Sequence, residues 1–163
     1  MRLFLIGMPG SGKSTIAKKL AEKLNYQAID LDAMIEKDAK MFIEDIFEKY
    51  GEKTFRALET EALMNLPKND IVVACGGGIV TIKSNKELME GIKFYLDTDL
   101  DVIKKRLETD YRRPLLKQKT LEQLFDERYF KYQDFADRIV SNNFDIDTTV
   151  KVIINYLKSE ENL

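Results

Sequence analysis

The sequence predicts an α/β fold, a parallel sheet covered by helices on both faces. Three observations carry that expectation. Strand-like apolar runs and helix-like amphipathic stretches alternate along the whole chain, the pattern of a doubly covered parallel sheet. The first strand candidate runs straight into Gly7-Met8-Pro9-Gly10-Ser11-Gly12-Lys13-Ser14, which fits G-x-x-x-x-G-K-[ST] at every fixed position and continues with helical spacing. That strand–loop–helix context is the one the template requires. Finally, 163 residues with no internal repeat, low-complexity tract or Gly/Ser linker suit one domain, residues 1–163, with a proper core.

The elements follow in order. Arg2–Ile6 is an apolar strand entering the glycine loop, and Ile16, Ala17, Leu20, Ala21 and Leu24 form the apolar stripe of the helix leaving it. A second strand is expected over 27–31. Phe42, Ile43, Ile46, Phe47 and Tyr50 make another stripe, stopped by Gly51. A helix carries Phe55-Arg56-Ala57-Leu58-Glu59, and strands are expected over 71–75 and 93–97. Residues 108–119 break the pattern, being polar and basic with Pro114 and little periodicity. Inserted between two helices, such a segment would be a natural lid. The next helix, 121–136, opens on Thr120-Leu121-Glu122-Gln123, a capping-box sequence, and Arg138–Ser141 is the last strand candidate.

Composition narrows the chemistry. The chain has no histidine, so any proton acceptor is a carboxylate, Lys, Tyr, Cys or the substrate itself. A net charge of −2 provides no global field for nucleic acid or an anionic membrane. The only cysteine, Cys75, allows no intramolecular disulfide and suits a reducing cytoplasm. The N-terminal apolar stretch is too short for a signal peptide, and no run approaches the ~20 residues of a membrane span. The expectation is a cytoplasmic protein without nucleic-acid or membrane partners.

The glycine loop cradles phosphate with backbone N–H groups at a helix N-terminus. Lys13 can reach the β/γ-phosphates and the Ser14 hydroxyl can ligate Mg²⁺. Nucleoside triphosphate with magnesium is the expected ligand, the alternative being a chance glycine turn. Asp30 and Asp32 stand at the carboxyl end of the second strand, where ligands of open parallel sheets bind. With Leu31 pointing inward, both carboxylates would reach the cleft, one to orient magnesium water and the other a substrate hydroxyl. Two solvated turn residues are the alternative.

Gly76-Gly77-Gly78 ends an apolar run and lets backbone approach a ligand without Cβ interference; a loose turn is the alternative. Cys75 is simplest as a core residue, with alkylation beside the glycines as a second reading. Arg56 and Glu59 share a helix face, a spacing that means little on a solvated surface. Arg128 lies inside an apolar stripe, four residues from both Leu124 and Tyr132. A guanidinium there should meet an anion, either a ligand or a structural carboxylate. Two arginines at one pocket would suit an anionic substrate. Arg112-Arg113 falls in the expected lid, where an arginine can close over transferred phosphate or simply belong to a solvated basic loop.

The ordered set Asp30-Leu31-Asp32, Phe55-Arg56-x-x-Glu59, Gly76-Gly77-Gly78 and Arg113-Pro114-Leu115-Leu116 resembles the shikimate kinase family nearly end to end. The resemblance implies a P-loop kinase fold: three layers, α/β/α, around a five-stranded parallel sheet of order 2-3-1-4-5, with a mobile lid near 108–119. It implies transfer of the γ-phosphoryl group of ATP to the 3-hydroxyl of shikimate in aromatic amino acid biosynthesis, by a monomer that uses Mg²⁺. Gly10, Ser11, Gly12, Lys13, Ser14, Thr15, Arg106 and Arg113 would bind ATP, Arg106 by stacking on adenine. Ser14 would ligate magnesium, with Asp30 helping through water. Arg56 and Arg128 would grip the shikimate carboxylate, Asp32 would hold the 3-hydroxyl, and Gly76, Gly77 and Gly78 would approach the ring hydroxyls. Phe47 and Phe55 would wall the pocket, with Glu59 beside them. Lys13, Asp32 and Arg113 would carry catalysis.

The chain departs from the family at Phe130, where members often have Pro, and in a lid without the glycines some members carry. Contacts to adenine around 141–143 are not assignable residue by residue. A nucleoside, nucleotide or gluconate kinase on the same scaffold, and a nucleotide-binding regulatory module, are the competing functions. The first lacks a recognisable base- or sugar-recognition motif, and the second would need no acceptor site.

Overall fold

A computed structural model of the chain describes residues 1–108 and 119–160. Five strands, β1 (Arg2–Ile6), β2 (Gln27–Asp30), β3 (Ile71–Ala74), β4 (Ile92–Asp97) and β5 (Arg138–Ser141), pair in parallel in the order β2-β3-β1-β4-β5. The alternation of side chains along a strand divides the apolar residues between two cores. Phe4, Ile6, Val73 and Tyr95 face one layer of helices, while Leu3, Leu5, Val72, Phe94 and Leu96 face the other. The second layer is α1 (Lys13–Leu24) and α8 (Ile146–Ser159), packed through Ile16, Leu20, Val150, Ile153 and Leu157. The first is built from α2 (Leu31–Ala39), α3 (Ile43–Tyr50), α4 (Glu52–Met64), α6 (Leu100–Leu107) and α7 (Leu121–Phe135), with a short α5 (Asn85–Leu88) beside it. The arrangement is the three-layer α/β/α sheet expected from the sequence.

Several local signals act as read. Gly51 stops α3 and also precedes α4. Thr120 and Gln123 form the reciprocal capping box that starts α7. Other boundaries move. The second strand ends at Asp30 instead of Leu31, because the Asp30 carboxylate accepts the Ala33 N–H at 3.1 Å and starts α2 at once. In the second stripe, Phe42 precedes α3 and is 58% exposed at the mouth of the cleft, and Tyr50 is its exposed last residue, its ring 5.2 Å from the Lys49 ammonium. Phe130, in the place of a family proline, leaves α7 unbroken and points outward, 75% exposed. No helix among the described residues is long and apolar enough to cross a membrane.

Because the strands are parallel, their carboxyl ends share one edge. β1 delivers the glycine loop there, β2 delivers Asp30 and Asp32, and β3 delivers Gly76-Gly77-Gly78. Chain segments far apart in sequence therefore meet at the crevice where ligands of such sheets bind.

Candidate active site

A cleft of about 780 Å³ opens along that edge. At one end lies the glycine loop. Gly12 caps α1 with φ 89°, left-handed backbone that suits glycine. A Cβ on Gly10 would stand 2.7 Å from Leu107 Cγ. The Lys13 ammonium donates to the carbonyls of Gly7 and Met8, both at 2.8 Å, and so lies against the loop. Gly10, Gly12, Lys13, Ser14, Thr15 and Arg106 line the cleft. Ser11 does not. Its side chain is buried, its N–H donates to Met8 O, and its carbonyl accepts from Arg106 Nη1 at 3.0 Å and from the buried Asn142 amide. Arg106 and Asn142 thus hold the loop from the β4 and β5 side.

Asp30 and Asp32 both reach the cleft, though by a route the strand argument does not describe. Leu31 is buried as expected, but Asp30 is the helix cap and Asp32 lies in the first turn of α2, where the macrodipole favours a carboxylate. Asp30 Oδ2 accepts the Ser14 hydroxyl at 2.7 Å. Ser14 and Asp30 form a hard oxygen pair beside a phosphate-binding loop, which fits Mg²⁺, a cation that keeps waters and substrate phosphates among its ligands. No cluster of three or more acidic, His or Cys side chains suited to a metal is present among the described residues.

The far wall carries the arginines. Arg56 and Glu59 do not sit on a solvated face. Arg56 is 5% exposed and Glu59 fully buried, with Arg56 Nη1 donating to Glu59 Oε1 at 2.7 Å. Glu52 accepts from Arg56 Nε at 3.2 Å. Glu59 Oε2 is buried with no hydrogen-bond partner among the described residues. Burial, reinforced by the charge of Asp32, pushes the Glu59 carboxyl up to about 7 against the pull of Arg56 and Arg128. Arg128 is likewise 5% exposed, lines the cleft and forms no ion pair among the described residues. The structural carboxylate that the sequence left open as its partner is therefore not found among the described residues.

The glycine turn shows why three glycines are needed. None of the three has the positive φ seen elsewhere in the chain; the constraint is space. A Cβ on Gly76 would lie 2.8 Å from Asp32 Oδ1 and 3.0 Å from Glu59 Oε2. One on Gly77 would lie 3.1 Å from Arg128 Nη1, and one on Gly78 within 2.4–2.5 Å of three Arg56 guanidinium atoms. Two guanidinium groups therefore flank one short turn, and a loose turn is excluded. Phe47 and Phe55 pack at 5.0 Å between ring centroids and close the wall. Cys75 is a buried core residue that also lines the floor of the cleft beneath the turn, and burial pushes its thiol up, which disfavours the reactive thiolate.

Sixteen of the seventeen candidate residues in the described part of the chain surround the cleft or, for Gly12, form its loop; Ser11 lies just beneath it. Arg113 and the expected lid over 108–119 lie outside the described residues, apart from Glu108 and Lys119. The sequence did not single out Phe42, Leu124 or Ile146 as cleft residues, nor Asn85 and Tyr132 as supports of the glycine turn and Asn142 as a support of the phosphate loop. Nothing distinguishes an apolar pocket residue from a core one before the fold is known.

A glycine loop that opens α1 after β1 of a 2-3-1-4-5 parallel sheet, facing an anion-seeking wall across one cleft, defines a phosphate-loop phosphotransferase for a small molecule. Residues 9–158 match the family model described as shikimate kinase. The chain is 40% identical to the shikimate kinase of Sulfurihydrogenibium sp. (strain YO3AOP1), covering 96% of this chain and 97% of that one. The solved structure of shikimate kinase from Acinetobacter baumannii in complex with shikimate superposes with a TM-score of 0.91 at 33% identity, over 98% of this chain and 93% of that one. For the enzyme from Aquifex aeolicus the TM-score is 0.86 at 34% identity, over 99% and 98%. The chain belongs to the shikimate kinase family.

Proposed function

We propose that the chain transfers the γ-phosphoryl group of ATP to the 3-hydroxyl of shikimate, giving shikimate 3-phosphate and ADP. The observation that carries this reading is the pair of buried guanidinium groups, Arg56 and Arg128, at one glycine turn across the cleft from the phosphate loop. Bidentate capture of a carboxylate suits that pair, and it supports an anionic acceptor over a nucleoside.

In this reading Arg56 and Arg128 hold the acceptor carboxylate, and Glu59 and Glu52 hold Arg56 in place. Gly76, Gly77 and Gly78 meet the ring hydroxyls, and Phe47 and Phe55 cover the apolar part of the ring. Asp32 positions the 3-hydroxyl. Its oxygen forms the new bond to phosphorus as the bond to the β-phosphate oxygen breaks, and the hydroxyl proton leaves to Asp32 or solvent. Positioning is the larger contribution, since the transition state is loose and early proton removal matters little. Gly10, Gly12 and Thr15 surround the phosphates, Ser11 shapes the loop, and Lys13 follows the charge of the transferred group. Ser14, with Asp30 through water, would hold Mg²⁺, which neutralises phosphate charge when bound. Arg106 flanks the adenine, and Arg113 from the lid is the further cation we assign to catalysis. We read residues 1–163 as one domain and the active unit as a monomer, with the phosphate loop, Asp30, Asp32, Arg56 and Arg128 gathered around a single cleft. A single buried cysteine suits the cytoplasm.

Mass spectrometry of products after incubation with ATP, Mg²⁺ and shikimate, with quinate and nucleoside monophosphates as parallel acceptors, tests the proposal. A magnesium-dependent shikimate phosphate, absent with the other acceptors, is expected. ATP binding with no phosphorylated shikimate would refute it and favour a regulatory module.

A further inference from the structure

The wall that carries the arginines has a support that the reaction itself does not use. Tyr132 is fully buried on α7, one helical turn beyond Arg128. Its hydroxyl donates to the carbonyl of Gly77, 55 residues away in sequence. Its ring is held by stacking on Tyr95 of β4, with centroids 5.0 Å apart and planes at 21°. The hydroxyl is therefore fixed by the sheet and reaches the middle residue of the glycine turn.

That contact matters because of what the turn is made of. Three successive glycines have the widest backbone freedom of any tripeptide, and a peptide plane between two of them can flip with no side chain to oppose it. In a trans peptide the Gly78 N–H points opposite to the Gly77 carbonyl, so anchoring the carbonyl also fixes the direction of that N–H. The same peptide lies between the two guanidinium groups, with Arg128 Nη1 beside Gly77 and Arg56 beside Gly78. On the other side of the turn, Asn85 Nδ2 donates to Ile79 O at 3.0 Å, and Thr60 of α4 donates to Asn85 Oδ1 at 2.8 Å. Within the turn the Ile79 N–H donates to Gly76 O at 3.1 Å and the Thr81 N–H to Gly78 O at 3.0 Å, and among the described residues Tyr132 is the side chain that holds the Gly77 carbonyl between them.

We propose that Tyr132 is a positioning residue for the acceptor subsite, its hydroxyl locking the 77–78 peptide so that Arg56, Arg128 and the turn present one fixed surface to the acceptor carboxylate and hydroxyls. This rests on the functional reading above. Pro9 of the phosphate loop lies beside the turn, its Cδ 3.0 Å from a Cβ placed on Gly77, while both arginines flank the 77–78 peptide itself, so the lock acts on the acceptor more than on the nucleotide.

Tyr132→Phe removes the hydroxyl and keeps the ring and its stacking. Steady-state kinetics are compared for wild type, Tyr132→Phe and the control Tyr95→Phe, which alters the same aromatic stack without touching Gly77. Hydrogen exchange of the nucleotide-free proteins is followed by mass spectrometry. The expected result for Tyr132→Phe is a rise in the KM for shikimate of about 5- to 10-fold, the size of one lost neutral hydrogen bond. The KM for ATP and kcat should stay within about twofold, and exchange should accelerate over residues 76–80 alone. Tyr95→Phe should match wild type in both readouts. Unchanged KM and exchange in Tyr132→Phe would overturn the proposal. So would loss of both KM values together with faster exchange across the whole sheet, which would mark a purely structural tyrosine. If wild type does not phosphorylate shikimate, the functional reading fails. The exchange comparison, made without substrate, still decides whether Tyr132 locks the turn.

Discussion

Glu59 should make this protein less stable as pH rises toward neutrality, and Glu59→Gln should remove that dependence. The carboxyl is fully buried, with one oxygen bound to Arg56 and the other without a partner among the described residues. Burial lifts its pKa from 4.5 to about 7. Between those values the folded protein keeps a proton that the unfolded chain has released, so stability falls with rising pH across that window. Below about pH 4.5 both states are protonated and the group contributes nothing; above about 7 the cost is complete. Each unit of pKa is worth about 1.4 kcal/mol, so the full cost is about 3 kcal/mol, with the attraction of Arg56 already included. Gln keeps an acceptor for Arg56 and carries no charge. Urea unfolding of both proteins from pH 4.5 to 8, followed by circular dichroism, should show the variant gaining about 3 kcal/mol on wild type across the range. Stability curves that run parallel over that range would refute the argument.

Three further outcomes are expected. Asp32→Asn should lose most turnover while unfolding at the wild-type urea midpoint, and unchanged kcat would remove Asp32 from the reaction. Arg56→Ala and Arg128→Ala should each raise the KM for shikimate roughly 10- to 150-fold, the value of a lost charge-assisted contact. They should differ in stability, because Arg56→Ala removes the donor to the buried Glu59 carboxyl and leaves it unsatisfied, a loss of about 1–3 kcal/mol, whereas Arg128 has no carboxylate partner to strand among the described residues. Equal unfolding midpoints for the two would contradict that contrast. Gly78→Ala places a methyl 2.4–2.5 Å from the Arg56 guanidinium and should raise the KM for shikimate more than the KM for ATP; an unaltered acceptor KM would show that Arg56 can move aside without consequence.

Much of the fold was legible because the sheet is parallel and covered on both faces. Continuous apolar runs bounded by glycine or charge marked all five strands within one residue at each end. What the sequence could not resolve was local competition. Leu31 continues the apolar run of a strand, and an aspartate side chain one residue earlier starts a helix instead. The stripe from Phe42 to Tyr50 had the right period, but period alone does not say where a helix begins, and Phe42 falls just before it, at the cleft.

The same contrast explains which site residues could be found. Arg128 stood out because a guanidinium in an apolar stripe has an energetic problem that needs a solution, and no ion-pair partner for it stands among the described residues. Arg56 and Glu59 carried no such signal. Their spacing is that of any surface pair, and only burial against the glycine turn makes it consequential. Tyr132 is less legible still, since a tyrosine with an apolar body on a helix stripe is an ordinary core residue and its hydroxyl partner lies 55 positions away. Charge therefore reveals the residues that would meet ligand, because burying charge is costly wherever the chain goes. Neutral residues that hold those charges in place become visible only when the sheet brings the carboxyl ends of β1, β2 and β3 together.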